Sequence, residues 1–167
     1  MEGWFFATAA LLVVSGIGKL VDPMPTAGAL RAGRLPSARF LVRGLGLAEV
    51  VVGLGNLLWS SALLAWLQTS LYLAFGLFVV WALSRKLPIA SCGCFGKPNT
   101  PPTWLHAAVN GMAVVGGGLQ ALAASDSLPA ILAEQPLAGL PYLGFIGLGA
   151  YCLYLLLGEL PLLRTSI

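Results

Sequence analysis

Five apolar stretches, each long enough to cross a membrane, limit the possible folds more than any other feature of this sequence. A helix of about 20 residues, rising 1.5 Å per residue, spans a hydrocarbon layer of about 30 Å. Backbone groups in lipid must be hydrogen-bonded within their own segment, so the stretches predict helices. The break at Trp59-Ser60-Ser61 predicts a tight hairpin between the second and third. The sequence therefore predicts an all-α, polytopic transmembrane bundle forming a single domain over 1–167, with helices at 3–21, 40–58, 63–83, 104–124 and 137–160.

The composition agrees with lipid surroundings. Charged residues make up 9% of the chain and hydrophobic residues 58%, whereas a soluble domain carries about 25% charged residues. So few charges leave too little polar surface to cover a water-facing globule. The net charge of +3 does not indicate nucleic-acid binding, because the basic residues cluster at the ends of apolar segments, as membrane topology requires.

The distribution of basic residues predicts the orientation. With five crossings, all 9 Lys and Arg residues fall on one face, and Glu2, Asp126 and Glu134 lie on the other. By the positive-inside rule, this predicts a multi-pass protein of the bacterial inner membrane with its N-terminus outside and its C-terminus in the cytoplasm. Segment 26–34 carries Arg31 and Arg34 on one side, and is predicted to be an interfacial helix that contacts anionic lipid head groups.

The third connection carries the distinctive chemistry, a Cys92-Gly93-Cys94 turn on the predicted cytoplasmic face. One intervening Gly lets the two thiols approach, and a disulfide between such near neighbours closes a strained ring that exchanges readily. Nearby Lys and Arg residues favour the reactive thiolate. The same pair suits a soft metal ion such as Cu(I) or Hg(II), and packing beneath the loop is a third interpretation.

Cys152 and His106 are further candidates on the same face. Cys152 lies in the fifth apolar stretch, where it is a resolving thiol, a third metal ligand beside Cys92 and Cys94, or a packed small residue. His106 lies with Asn110 on one face at the start of the fourth predicted helix. It is a proton donor or acceptor for a thiol, a metal ligand, or a solvated side chain.

Glu49 is the most informative polar residue within an apolar stretch. A carboxylate inside a membrane helix costs on the order of 2.5 to 3.5 kcal/mol and by default indicates a functional site. Two interpretations stay open. Glu49 accepts a proton during thiol exchange, or it forms an ion pair with Lys19 or Arg43.

Several of these pieces together resemble a known family. Gly18-Lys19-Leu20-Val21-Asp22-Pro23, then Leu35-Pro36, the second apolar stretch with Glu49, and Cys92-Gly93-Cys94-Phe95-Gly96 are similar to the methylamine-utilisation MauE family, a relative of DoxX-like membrane proteins. The resemblance implies an integral membrane protein linked to thiol-disulfide chemistry. Such a protein assists disulfide formation or maturation of an exported partner, often beside a thioredoxin-like protein.

Three functions follow as hypotheses. The first is thiol-disulfide exchange through Cys92 and Cys94, possible catalytic residues together with Glu49 and His106, with a thioredoxin-like protein, an exported protein or a quinone supplying or taking the electrons. The second is binding or transport of a soft metal ion. The third is a non-catalytic membrane assembly factor. The sequence specifies no cofactor; a quinone is the one candidate, and no residue pattern marks a site for it.

Overall fold

A computed structural model describes residues 2–59, 61–89, 101–123, 127–134 and 136–158, without the side chains of 136–138. These residues form seven helices and no strand, which confirms the all-α prediction. The helices are α1 (Glu2–Val21), α2 (Met24–Ala32), α3 (Arg39–Leu58), α4 (Ala62–Ser84), α5 (Trp104–Leu122), α6 (Leu128–Glu134) and α7 (Pro136–Gly158).

Four helices are long and apolar enough to cross a membrane, namely α1, α3, α4 and residues Gly139–Leu157 of α7. The remaining long helix, α5, has 19 residues and is less apolar because it carries His106, Asn110 and Gln120. Large apolar side chains cover much of the outer surface, among them Phe40, Leu77 and Phe145. A soluble monomer rarely exposes so much apolar surface, so the chain is a polytopic membrane protein.

The predicted tight hairpin joins α3 to α4. α3 ends at Leu58 and α4 begins at Ala62. The Asn56 side-chain amide donates a hydrogen bond of 3.0 Å to the backbone oxygen of Leu64 across the turn. This bond ties the last turn of α3 to the first turn of α4 and fixes the return of the chain.

Glycine contacts show that α1 and α3 are antiparallel and closely packed. A Cβ atom added at Gly16 would lie 2.5 Å from the backbone oxygen of Gly46, and one at Gly53 would lie 2.8 Å from that of Ala9. Residue numbers thus rise along one helix as they fall along the other. Only glycine allows backbones to approach so closely, as is common where membrane helices pack.

The other long helices continue this alternation. A Cβ atom at Gly117 would meet Thr69, and one at Gly76 would meet Asn110, so α4 and α5 are antiparallel. A Cβ atom at Gly149 would meet Ala7. A Cβ atom at Gly3 would meet Tyr142 and Phe145. Residue numbers therefore rise in the same direction along both helices, so α7 runs parallel to α1. One end of the bundle therefore holds the C-termini of α1, α4 and α7 and the N-termini of α3 and α5.

All of the described Lys and Arg residues lie at this end, which we call the basic end. They are Lys19, Arg31, Arg34, Arg39, Arg43, Arg85 and Lys86. α2 covers part of the basic end. It overlaps most of segment 26–34, which was predicted to be an interfacial helix. Its Thr26, Ala27 and Ala29 are buried, whereas Arg31 is exposed. Ala29 packs with Ala82 of α4 and with Ile89, so α2 lies against the bundle as well as presenting an outer face.

The short helix α6 was not expected from the sequence. It has 7 residues and none of them is buried. It precedes α7, which overlaps the predicted helix 137–160 and is described as far as Gly158. Chain order places α6 at the end of the bundle opposite the basic end.

Candidate functional site

The Cys92-Gly93-Cys94 turn lies outside the described residues, so its geometry stays a prediction. The helices on either side of it are described. α4 ends at Ser84, the chain continues to a buried Ile89, and α5 begins at Trp104. Both adjoining helix ends belong to the basic end.

A buried ion pair joins α1 to α3 near the basic end. The Lys19 ammonium (Nζ) lies 2.9 Å from Oε2 of Glu49, and the two residues are 3% and 0% exposed. Lys19 Nζ also donates to the Ser15 hydroxyl at 2.6 Å. Of the two partners expected for Glu49, the structure thus selects Lys19, while Arg43 is exposed. An ion buried in apolar surroundings requires such compensation.

Close helix packing brings this ion pair together. Gly16 and Gly46 lie within one turn of Lys19 and Glu49, and they allow the backbones of α1 and α3 to touch. Lys19 Nζ also lies 5.3 Å from the centroid of the Phe75 ring on α4. A cation over an aromatic face gains further electrostatic stabilisation. Ser15, four residues before Lys19 on the same helical face, and Phe75 were not identified from the sequence.

His106 is buried and ties the start of α5 to its surroundings. Nδ1 of its ring accepts a hydrogen bond from the Thr103 backbone N–H at 3.2 Å, in a capping box that closes the helix N-terminus. The ring also lies near the backbone of Leu157 in α7. Because Nδ1 accepts this bond, Nε2 carries the proton in the neutral ring. Asn110 donates to the His106 carbonyl at 2.6 Å.

A second polar cluster links three helices deeper in the bundle. The Gln68 side-chain amide donates to the Thr8 hydroxyl at 3.1 Å and accepts from the Asn56 amide at 3.0 Å. The Tyr72 hydroxyl donates to the backbone oxygen of Thr8 at 2.7 Å. Since these groups satisfy one another across helices, the cluster fixes the packing of α1, α3 and α4.

Cys152 is a free thiol with an exposed side chain on α7. It is therefore not packed inside the bundle. Among the described residues, no three His, Cys, Asp or Glu side chains come together in a group that could hold a metal ion. The alternative metal site of Cys92, Cys94 and Cys152 includes residues outside this description and stays a prediction.

Comparison with known proteins gives one finding. Residues 3–124 match the model of the family described as "Methylamine utilisation protein MauE". None of the curated proteins and none of the solved structures compared with the chain matches it. The matched region runs from α1 through α5, and it includes the Lys19–Glu49 ion pair and the Cys92-Gly93-Cys94 turn.

Proposed function

This chain belongs to the MauE family of methylamine utilisation proteins, and we propose that it is a membrane thiol-disulfide exchange protein acting through Cys92 and Cys94. Its place is the bacterial inner membrane, with the N-terminus outside and the basic end in the cytoplasm. Its partner is a thioredoxin-like protein or an exported protein whose disulfides it helps to form or rearrange.

The main support for this proposal is that the Cys-Gly-Cys turn follows closely in the chain after residues of the basic end. Cys92 follows the buried Ile89 by three residues, a separation of at most about 11 Å in a fully extended chain. Arg85 and Lys86 belong to the same connection. Positive charges near a cysteine favour its thiolate, which is the nucleophile in disulfide exchange.

The exchange needs only the two thiols and a partner disulfide. One thiolate attacks a partner sulfur, forming a mixed disulfide and releasing the partner's other sulfur as a thiolate. The second cysteine then attacks the mixed disulfide. The partner leaves with two reduced sulfurs, and Cys92 and Cys94 are joined by a disulfide. The reverse sequence oxidises the partner.

Trapping the mixed disulfide tests this function. Cys94→Ser removes the second cysteine, so a partner attached to Cys92 should accumulate as a complex that reducing agent dissolves. Cys92→Ser should trap through Cys94 or not at all. The control is Cys152→Ala, which removes the exposed thiol on α7 and should leave trapping unchanged.

Two results would contradict the proposal. One is normal methylamine-dependent growth of cells carrying Cys92→Ser and Cys94→Ser together, which would favour an assembly factor that does not use the thiols. The other is purified protein that retains a stoichiometric soft metal ion and never forms a Cys92–Cys94 disulfide. That outcome would favour metal binding.

A further inference from the structure

A cavity of about 280 Å³ lies between α1, α2, α3 and α4, next to the buried ion pair. α2 closes it on the side of the basic end through Thr26, Ala29 and Leu30. Its walls are otherwise almost entirely apolar, and they include the rings of Phe75 and Phe78. Ligand pockets typically have this character, a mainly apolar lining with a few polar groups that orient the ligand.

Lys19, Ser15 and Thr26 form the polar part of the lining. A lysine ammonium has three N–H donors. Ser15 and Glu49 accept two of them, at 2.6 Å and 2.9 Å. Among the described residues, no further oxygen acceptor is seen for the third, and Nζ lies 5.3 Å from the Phe75 ring that lines the cavity. Lys19 therefore offers one buried N–H donor to a ligand in the cavity.

The charge balance indicates which ligand fits. Glu49 already neutralises Lys19, so an anionic ligand would add an uncompensated charge beside a buried carboxylate, which is costly. An uncharged ligand with a carbonyl acceptor avoids this cost. Aromatic rings pack favourably against other flat rings, and Phe75 and Phe78 present such surfaces.

We propose that this cavity binds the head group of a membrane quinone, an uncharged ring whose carbonyl oxygen accepts the remaining Lys19 N–H. Ala74 of α4 lines the cavity and is exposed. We therefore place the entry of a lipid-soluble ligand beside α4.

The role of this ligand, though not its binding, rests on the proposed thiol function. When the Cys92 and Cys94 thiols form a disulfide, they release two electrons and two protons. A quinone takes up two electrons and two protons on reduction to the quinol. The cavity and the helices that flank the Cys-Gly-Cys turn share the basic end, so the quinone is the electron acceptor that regenerates the disulfide.

Equilibrium binding of a decyl-benzoquinone to the purified protein in lipid nanodiscs tests the site. Ala74→Trp should block the cavity mouth and weaken binding at least tenfold. Leu77→Trp is the matched control, since Leu77 is exposed on the same helix and does not line the cavity. The double variant Lys19→Met with Glu49→Leu removes the donor without leaving a lone buried charge. It should weaken binding about tenfold, the effect of losing one hydrogen bond of about 1.4 kcal/mol.

The cysteine variants separate this proposal from the thiol function. Cys92→Ser with Cys94→Ser should bind the quinone as the wild type does but should fail to reduce it. Binding that survives in this variant supports the cavity even if the thiols prove inactive. Absence of binding to the wild type would overturn the proposal. Equal binding by wild type and Ala74→Trp would also do so, as would a cavity occupied only by a phospholipid acyl chain that the quinone does not displace.

Discussion

The buried ion pair between Lys19 and Glu49 makes the sharpest prediction about stability. Glu49→Leu leaves the Lys19 ammonium buried without its carboxylate, and Lys19→Met leaves the carboxylate without its ammonium. Removing one member of a buried pair typically costs about 3 to 5 kcal/mol, or roughly two to four orders of magnitude in the unfolding equilibrium constant. Replacing both members with apolar side chains of similar volume is often neutral or stabilising. The double variant should therefore be more stable than either single variant.

The measurement is reversible unfolding in mixed micelles of increasing SDS content, followed by circular dichroism. Arg43→Met is the control, because Arg43 is exposed on α3 nearly two turns from Glu49 and should barely change the midpoint. The argument would be refuted if Glu49→Leu were as stable as the wild type. It would also be refuted if the double variant lost as much unfolding free energy as the two single variants together. Such additivity would mean that the two side chains do not interact.

Three further predictions concern packing, orientation and the start of α5. Gly16→Ala should destabilise the bundle by about 1 to 3 kcal/mol through overpacking against Gly46. The control is Gly44→Ala, whose added methyl group meets no atom within 4 Å; its stability should be unchanged or rise by up to about 1 kcal/mol. Equal unfolding midpoints in the SDS titration would count against the close α1–α3 contact. The proposed orientation places α6 outside the cell and α2 in the cytoplasm. In a cysteine-free background, Ala133→Cys in α6 should therefore react with a membrane-impermeant maleimide in whole cells, and Gly28→Cys in α2 should not. The reverse pattern would invert the proposed orientation. His106→Ala should lower stability by about 1 to 3 kcal/mol because it leaves the Thr103 N–H without its acceptor. An unaltered unfolding midpoint would contradict that role.

The fold was predictable because membrane spans are determined mainly by the length of an apolar stretch. The hairpin at Trp59 to Ser61 was predictable for the same reason, since two full spans cannot continue through one membrane. The helix α6 was not predictable from this signal. Its 7 residues are too few to span a membrane, and none of its side chains is buried to give it a distinct apolar face.

The candidate site was only partly predictable. Glu49 was recognised because a carboxylate is costly in an apolar stretch, but the choice of Lys19 over Arg43 depends on the glycine contacts that bring α1 against α3. The contact of His106 with Leu157 joins distant parts of the chain and depends on α7 running parallel to α1. The cavity exists because α2 folds back over the basic end, and no local pattern in the sequence specifies that position.

The Cys92–Cys94 couple is the centre of the proposed function, and its reduction potential tests that function most directly. The detergent-purified protein, with Cys152→Ala as background, is equilibrated in glutathione redox buffers and read by alkylation and mass spectrometry. A strained ring and nearby basic residues should both make the disulfide more oxidising than a structural disulfide, whose potential typically lies below about −300 mV. We expect a reversible two-electron transition well above that value. Thiols that never pair under mild oxidation, in protein that retains a stoichiometric soft metal ion, would contradict the proposed function.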